Sequence, residues 1–186
     1  MPPKAGLTKE QIAQKAYEIL KNEGYDSLNA RYLATQLGVS TMPLFKHYKN
    51  MDEIKAAAVG LGVAEYCRYM DEGSKEPIPF KGIGRAYISF AKNEPKLFEI
   101  FFMRPTDSVV GISHTDPNER DALDIASGIM SGNLNDGQRL LKSMWLVVHG
   151  IATLEATGKA SFTEEERSET LSEIFLALKK HMGDKQ

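Results

Sequence analysis

The apolar positions of this chain recur every three or four residues, the spacing that puts them on one face of a helix. Ile12, Ala16, Ile19 and Leu20 form the first such stripe. Thr8-Lys9-Glu10-Gln11 opens it as a capping box with Leu7 and Ile12 as its staple, and Gly24 closes it. A shorter stripe runs through Leu33, Ala34 and Leu37, with Asn29 before it as a cap. Gly38 ends that stripe, since glycine enters the left-handed conformation without steric cost. Ser40 is placed to cap the next helix, with Val39 and Leu44 as a staple, and that helix runs towards Tyr48. Lys49-Asn50-Met51-Asp52 reads as another cap, ahead of a long helix over residues 51–70 through Ile54, Ala58, Leu61, Glu65 and Arg68. Gly60 and Gly62 inside it each cost roughly 1 kcal/mol relative to alanine, so packing must hold the helix or it bends there.

Residues 72–79, with Gly73, Pro77 and Pro79, read as a linker. Helical spacing resumes with Ile83, Ala86, Tyr87, Phe90 and Ala91. Pro95 can open a short helix through Leu97, Phe98, Phe101 and Phe102. Residues 104–118 are expected to be a long loop, and a segment of that length is usually functional or mobile. Leu123, Ile125, Ile129 and Met130 predict a helix up to Gly132, and residues 133–137 a turn. Residues 139–156 are apolar nearly all round, which predicts burial on most sides. Thr163-x-x-Glu166 caps the last helix, whose stripe is Leu171, Ile174, Phe175 and Leu178; Lys179, Lys180 and His181 suit its negative end. There is no sustained strand alternation and no internal repeat. The expected class is all-α.

Composition changes this picture little: 42% of residues are hydrophobic and 26% charged, as in an ordinary globular protein. No run of about 18 apolar residues offers a membrane span. MPPKAGLTKEQ lacks an apolar signal core, so a cytoplasmic location and no membrane partner are expected. The single cysteine, Cys67, fits a reducing compartment. The net charge of −2 is uneven. Residues 1–50 hold seven Lys/Arg against four Asp/Glu, or +3; residues 51–186 hold sixteen against twenty-one, or −5. Nucleotide-binding glycine motifs, HExxH and cysteine pairs are missing, and His47, His114, His149 and His181 are too scattered to propose a metal site. No catalytic residue, cofactor or metal is therefore expected, and the chain is not read as an enzyme.

The positive end coincides with residues 29–48, two short helices around Gly38-Val39-Ser40. That is the form of a helix-turn-helix, whose second helix enters a DNA major groove. Thr41 and Met42, at the start of that helix, are candidates for base contact: threonine by a hydroxyl or methyl, methionine only by apolar contact. Lys46 and Lys49 are candidates for phosphate contact, and His47 either for phosphate or for packing. Lys4, Lys9 and Lys15 are either phosphate contacts or a solvated face.

Leu33-Ala34, Leu37-Gly38-Val39-Ser40, Leu44-Phe45-Lys46-His47-Tyr48 and Lys49-Asn50 together resemble the TetR family of bacterial regulators. Arg85-Ala86-Tyr87, Phe90-Ala91 and Glu94-Pro95-Lys96-Leu97-Phe98 look like that family's ligand-domain helices. Trp145-Leu146-Val147-Val148-His149-Gly150 resembles the Trp…His-Gly signature of one C-terminal subgroup. The resemblance implies a DNA-binding domain over residues 1–50 and a helical ligand-binding and dimerisation domain over residues 51–186. It implies a homodimeric transcriptional regulator, a repressor released from a double-stranded operator by a small-molecule inducer. Arg31 matches a family position that often reads a guanine, so Arg31, Ser40, Thr41, Met42, Phe45, Lys46, His47, Tyr48 and Lys49 form the expected DNA-binding set. Tyr87, Phe98, Phe102, Trp145 and His149 form the expected inducer-binding set, with helix packing as their competing role. Two positions depart from the family: Phe45 stands where a tyrosine usually reaches a phosphate, and Met51 where a lysine does. They leave open a second function class, a helical small-molecule-binding or interaction protein that has lost DNA binding.

Overall fold

The computed structural model describes residues 6–104 and 119–183, and every regular element among them is helical. Lys4, His114 and the loop expected from residue 105 to residue 118 lie outside the described residues. The helices are α1 (Lys9–Glu23), α2 (Ala30–Leu37), α3 (Leu44–His47), α4 (Met51–Ser74), α5 (Pro79–Asn93), α6 (Pro95–Phe98), α7 (Glu119–Ile129), α8 (Leu134–Ala156) and α9 (Glu164–Gly183). No described helix is long and apolar enough to cross a membrane. The chain forms two compact units: the described parts of Met1–Glu65 with Lys96–Ser113, and those of Tyr66–Pro95 with His114–Gln186.

In the first unit the local signals act as written. The Thr8 hydroxyl accepts from the Gln11 N–H at 3.2 Å, and the Gln11 side chain accepts from the Thr8 N–H at 2.9 Å. Asn29 caps α2 by accepting from the Tyr32 N–H at 3.0 Å. Gly38 takes φ 68°, and its N–H donates to the Ala34 and Thr35 carbonyls. Ile12, Ala16, Leu20, Leu28, Leu33, Leu44, Ile54, Leu97 and Phe98 are all buried and form this unit's core. Gly62 belongs to the same packing: a Cβ there would meet the Phe101 ring at 2.9 Å and Leu97 at 3.3 Å. The α4 helix does not break at its glycines.

The expected Ser40 cap is not formed. The second helix of the motif is a single turn, Leu44–His47, with Pro43 at its N-cap and no side-chain cap. The reason lies in register. With Ser40 as cap, Pro43 would hold the N3 position, and proline lacks one of the two N–H groups, N2 and N3, from which the serine hydroxyl could accept. The chain enters instead through two successive turn bonds, Leu44 N–H to the Thr41 carbonyl at 3.1 Å and Lys46 N–H to the Pro43 carbonyl at 3.3 Å.

The second unit is arranged around α8, which packs against α5, α7 and α9. Two expectations change here. Helix α8 begins at Leu134, not after residue 137, because Asn133 caps it by accepting from the Asp136 N–H at 3.2 Å. Gly137 lies inside it, where a Cβ would stand 2.7 Å from the Ser127 Cα, so glycine here permits a close approach to α7 and marks no turn. Nor is α8 buried on most sides. Leu140, Met144, Val148, Ile151 and Ala152 face inward, while Leu146 and Leu154 are exposed. The linker shrinks to residues 75–78, since α4 runs on to Ser74 and Pro79 opens α5.

Candidate nucleic-acid interface

The helix-turn-helix presents most of the expected DNA set to solvent. Arg31, Ser40, Met42, Phe45, Lys46, His47 and Lys49 are exposed and Thr41 is half-buried. Leu44, by contrast, is fully buried and anchors the one-turn helix to the core. Tyr48 is placed differently: it is buried, its hydroxyl donates to the Lys9 carbonyl at 3.1 Å, and the Lys9 ammonium lies 4.9 Å from its ring centre. Burial pushes the Tyr48 phenol above its ordinary pKa. Tyr48 therefore ties the start of α1 to the end of α3, and its hydroxyl is already committed within the protein. Lys15 pairs with Glu18 and Lys49 lies 3.7 Å from Glu53, so both cations also have local partners. These exposed pairs contribute little to stability and leave the charges available. Glu53 also accepts from the Lys49 N–H at 2.8 Å, and Asn50 from the Glu53 N–H at 2.9 Å, which caps α4.

The same unit grips the first part of α4. The Glu65 carboxylate accepts from the Tyr17 hydroxyl at 2.7 Å and from the Lys21 ammonium at 3.1 Å. Tyr25 lies between two cations, the Lys55 ammonium at 4.1 Å and the Arg104 guanidinium at 4.4 Å from its ring centre, with Arg104 also 3.4 Å from Asp26. The sequence offered no local signal for these contacts, because each joins residues far apart along the chain. Phe98 and Phe102 also belong to this unit, their ring centres 5.1 Å apart.

In the second unit Tyr87, Trp145 and His149 come together. The His149 ring stacks on Trp145 at 5.0 Å and 19°, and its Nδ1 lies 3.0 Å from the Tyr87 hydroxyl. Tyr87 meets Tyr66 edge-on at 6.3 Å, and Tyr66 meets Phe90 at 5.2 Å. Tyr66 was not singled out by its sequence neighbours; only its position on α4 brings it to this cluster. Trp145 and His149 lie one turn apart on α8, which brings their rings to one face of it. Two surface cavities of the second unit, about 360 and 430 Å³, are lined by other residues, among them Lys92 and Lys159 in one and Arg85 and Glu164 in the other.

Burial pushes the His149 imidazole below its ordinary pKa, so the fold favours its neutral form. Between that lowered value and the unfolded value near 6.5, the unfolded chain binds more protons, so stability falls as pH drops through this window. Denaturant midpoints of the wild-type chain should fall over that range, and those of His149→Gln should fall less. Equal pH slopes for the two would remove this role for His149.

Comparison with known proteins extends the picture. The profile of the tetracyclin repressor-like C-terminal domain matches residues 80–178. An uncharacterized HTH-type transcriptional regulator of Mycobacterium tuberculosis is 26% identical over 164 residues, covering 83% of this chain and 72% of its own. An uncharacterized HTH-type transcriptional regulator of Bacillus subtilis is 24% identical over 110 residues, 58% of either chain. The class D tetracycline repressor protein of Escherichia coli is 28% identical over 138 residues, 72% of this chain and 59% of its own. This chain thus spans less than two thirds of the length of the latter two relatives. Because the profile runs from α5 into α9, over more than half of the 186 residues, this helix-turn-helix protein belongs to the TetR family.

Proposed function

We propose that this protein is a DNA-binding transcriptional regulator, a repressor that a small molecule releases from its operator. The observation that carries the reading is the helix-turn-helix itself: Leu44 holds it to the core while Arg31, Met42, Phe45, Lys46, His47 and Lys49 remain exposed around it. Residues 1–50 are proposed as the DNA-binding part and residues 51–186 as the ligand-binding and dimerisation part. Arg31, Thr41 and Met42 face bases, and Lys46, His47 and Lys49 face phosphates. The names of the relatives, three regulators or repressors, support this assignment.

A homodimer through α8 and α9 is supported by the exposed Leu146, Leu154 and Leu176 on those helices. Its two heads would meet half-sites one DNA turn apart, about 34–36 Å. Tyr87, Trp145 and His149 are proposed as part of the inducer site, and Trp145 to Gly150 as the mark of the Trp…His-Gly subgroup. An inducer releases DNA only if it binds the non-binding conformation more tightly, and α4 is the proposed carrier of that difference.

Gel-shift titration against DNA upstream of the chain's own gene tests this at two salt concentrations. A specific complex that weakens steeply with salt is expected. Arg31→Ala should weaken it by roughly 1–3 kcal/mol if the guanidinium reads a base. Absence of any complex at low salt overturns the reading. It would favour the second one, a helical small-molecule-binding or interaction protein without DNA binding. Three positions support that alternative: Phe45, Met51 and the committed hydroxyl of Tyr48.

A further inference from the structure

Two exposed large apolar side chains lie on the recognition turn itself, and one of them is the most exposed of its kind among the described residues. Met42 is 71% exposed and Phe45 43% exposed. They are three positions apart in the turn that the Leu44 N–H to Thr41 carbonyl and Lys46 N–H to Pro43 carbonyl bonds close, a spacing that favours one side of a helical turn. The buried Leu44 between them anchors the turn to the core. The other exposed residues singled out in the motif are cationic or polar: Arg31, Ser40, Lys46, His47 and Lys49. An exposed apolar pair in a motif rich in exposed cations is complementary to a surface that offers apolar atoms beside an array of negative charge.

A phosphate offers nothing to a methionine or a phenylalanine. In the DNA major groove the apolar group is the C5-methyl of thymine, flanked by the charged backbones. We propose that Met42 and Phe45 read thymine methyl groups, so that each operator half-site carries thymines facing these two side chains. This rests on the DNA-binding reading above and deepens it. It also assigns a role to Phe45 that a phosphate-binding hydroxyl would not have: the ring selects sequence, and the lysines carry the electrostatic affinity.

The test starts from a random duplex pool selected with the full chain, which yields its preferred site directly. Each selected thymine is then replaced singly by deoxyuridine, which keeps the O4 acceptor and the pairing with adenine and removes only the methyl. At one or two thymines per half-site binding should weaken roughly fourfold, as expected for one methyl at about tenfold per 1.4 kcal/mol. 5-Bromodeoxyuridine, with a bromine in the methyl's place, should restore it. Met42→Ala and Phe45→Ala should each abolish the thymine-to-uracil discrimination at one position. Neither should change the salt dependence, because no phosphate contact is removed. Both side chains are exposed, and unchanged melting curves would show that the variants fold.

A selected site bound equally well with thymine or uracil overturns the proposal and leaves the regulator reading intact. So does a Phe45→Ala variant that keeps the discrimination and loses only salt dependence. If no sequence is enriched and no duplex binds at low salt, both readings fall.

Discussion

Replacing Gly82 with alanine should lower the melting temperature by about 6–12 °C, the equivalent of roughly 3 kcal/mol in a chain of this size. The α4 and α5 helices meet backbone to backbone at this point. A Cβ on Gly82 would stand 2.1 Å from the Gly73 carbonyl oxygen and 2.8 Å from the Glu76 Cβ. A Cβ on Gly73 would in turn stand 2.6 Å from the Gly82 carbonyl oxygen. Neither obstacle is a side-chain tip that can rotate away. The two helices would have to separate, and the apolar packing beside the crossing would open with them. Overpacking costs are typically about 1–3 kcal/mol, and a backbone obstacle places this one at the upper end.

Gly60 provides the control of opposite sign. It is also helical, in α4, but nothing lies within 4 Å of the position a Cβ would take. Alanine there removes only the conformational entropy that glycine loses on folding, so Gly60→Ala should stabilise by about 0.5–1 kcal/mol. Thermal melts followed by far-ultraviolet circular dichroism separate the two. Equal melting temperatures for both variants would mean that α4 and α5 do not cross as closely as these distances imply.

The second large effect lies between the end of α8 and the start of α9. The Glu155 side chain is 3% exposed and Arg167 14%. One Arg167 nitrogen, Nη1, donates to both Glu155 oxygens at 2.7 and 3.0 Å, and the Phe162 N–H donates to the same carboxylate at 3.3 Å. Arg167 also donates to Glu164 at 3.1 Å, and Glu164 accepts from the Arg85 Nε at 2.8 Å. Arg167→Ala leaves the Glu155 carboxylate enclosed by protein with one N–H for a partner, which should cost about 3–5 kcal/mol. The pair itself is weak evidence of net stability, because both charges lose their hydration on folding. Replacing both residues, Glu155→Leu with Arg167→Met, should therefore recover much of the loss. Urea unfolding of the single and double variants gives the coupling energy directly. Strict additivity would show that the two side chains do not act as a pair.

Whatever depended on neighbours three or four residues apart was legible in the chain. The Thr8 and Gln11 capping box, the Asn29 cap, the left-handed Gly38 and the Thr163 and Glu166 pair all form as their spacing required. These bonds close inside one helical turn, so residue type and spacing settle them without tertiary help. The cap at Ser40 fails for an equally local reason. Pro43 removes the N3 donor, one of the two that a Ser40 cap could use, and the helix starts after it.

By itself the sequence determined the all-α class, the order of the helices, the helix-turn-helix and the positions that resemble its family. Only the tertiary structure decided what the interior glycines do. Gly62, Gly73, Gly82 and Gly137 look alike in a helical pattern, and each is distinguished from Gly60 by the atoms that a distant segment brings to it. The same holds for the face of α8 that stays exposed, for the Arg167 partner of Glu155, and for the two cations on Tyr25. Helix periodicity reports how apolar a face is. Which other element covers that face is a property of chain segments far apart in sequence, and no local spacing encodes it.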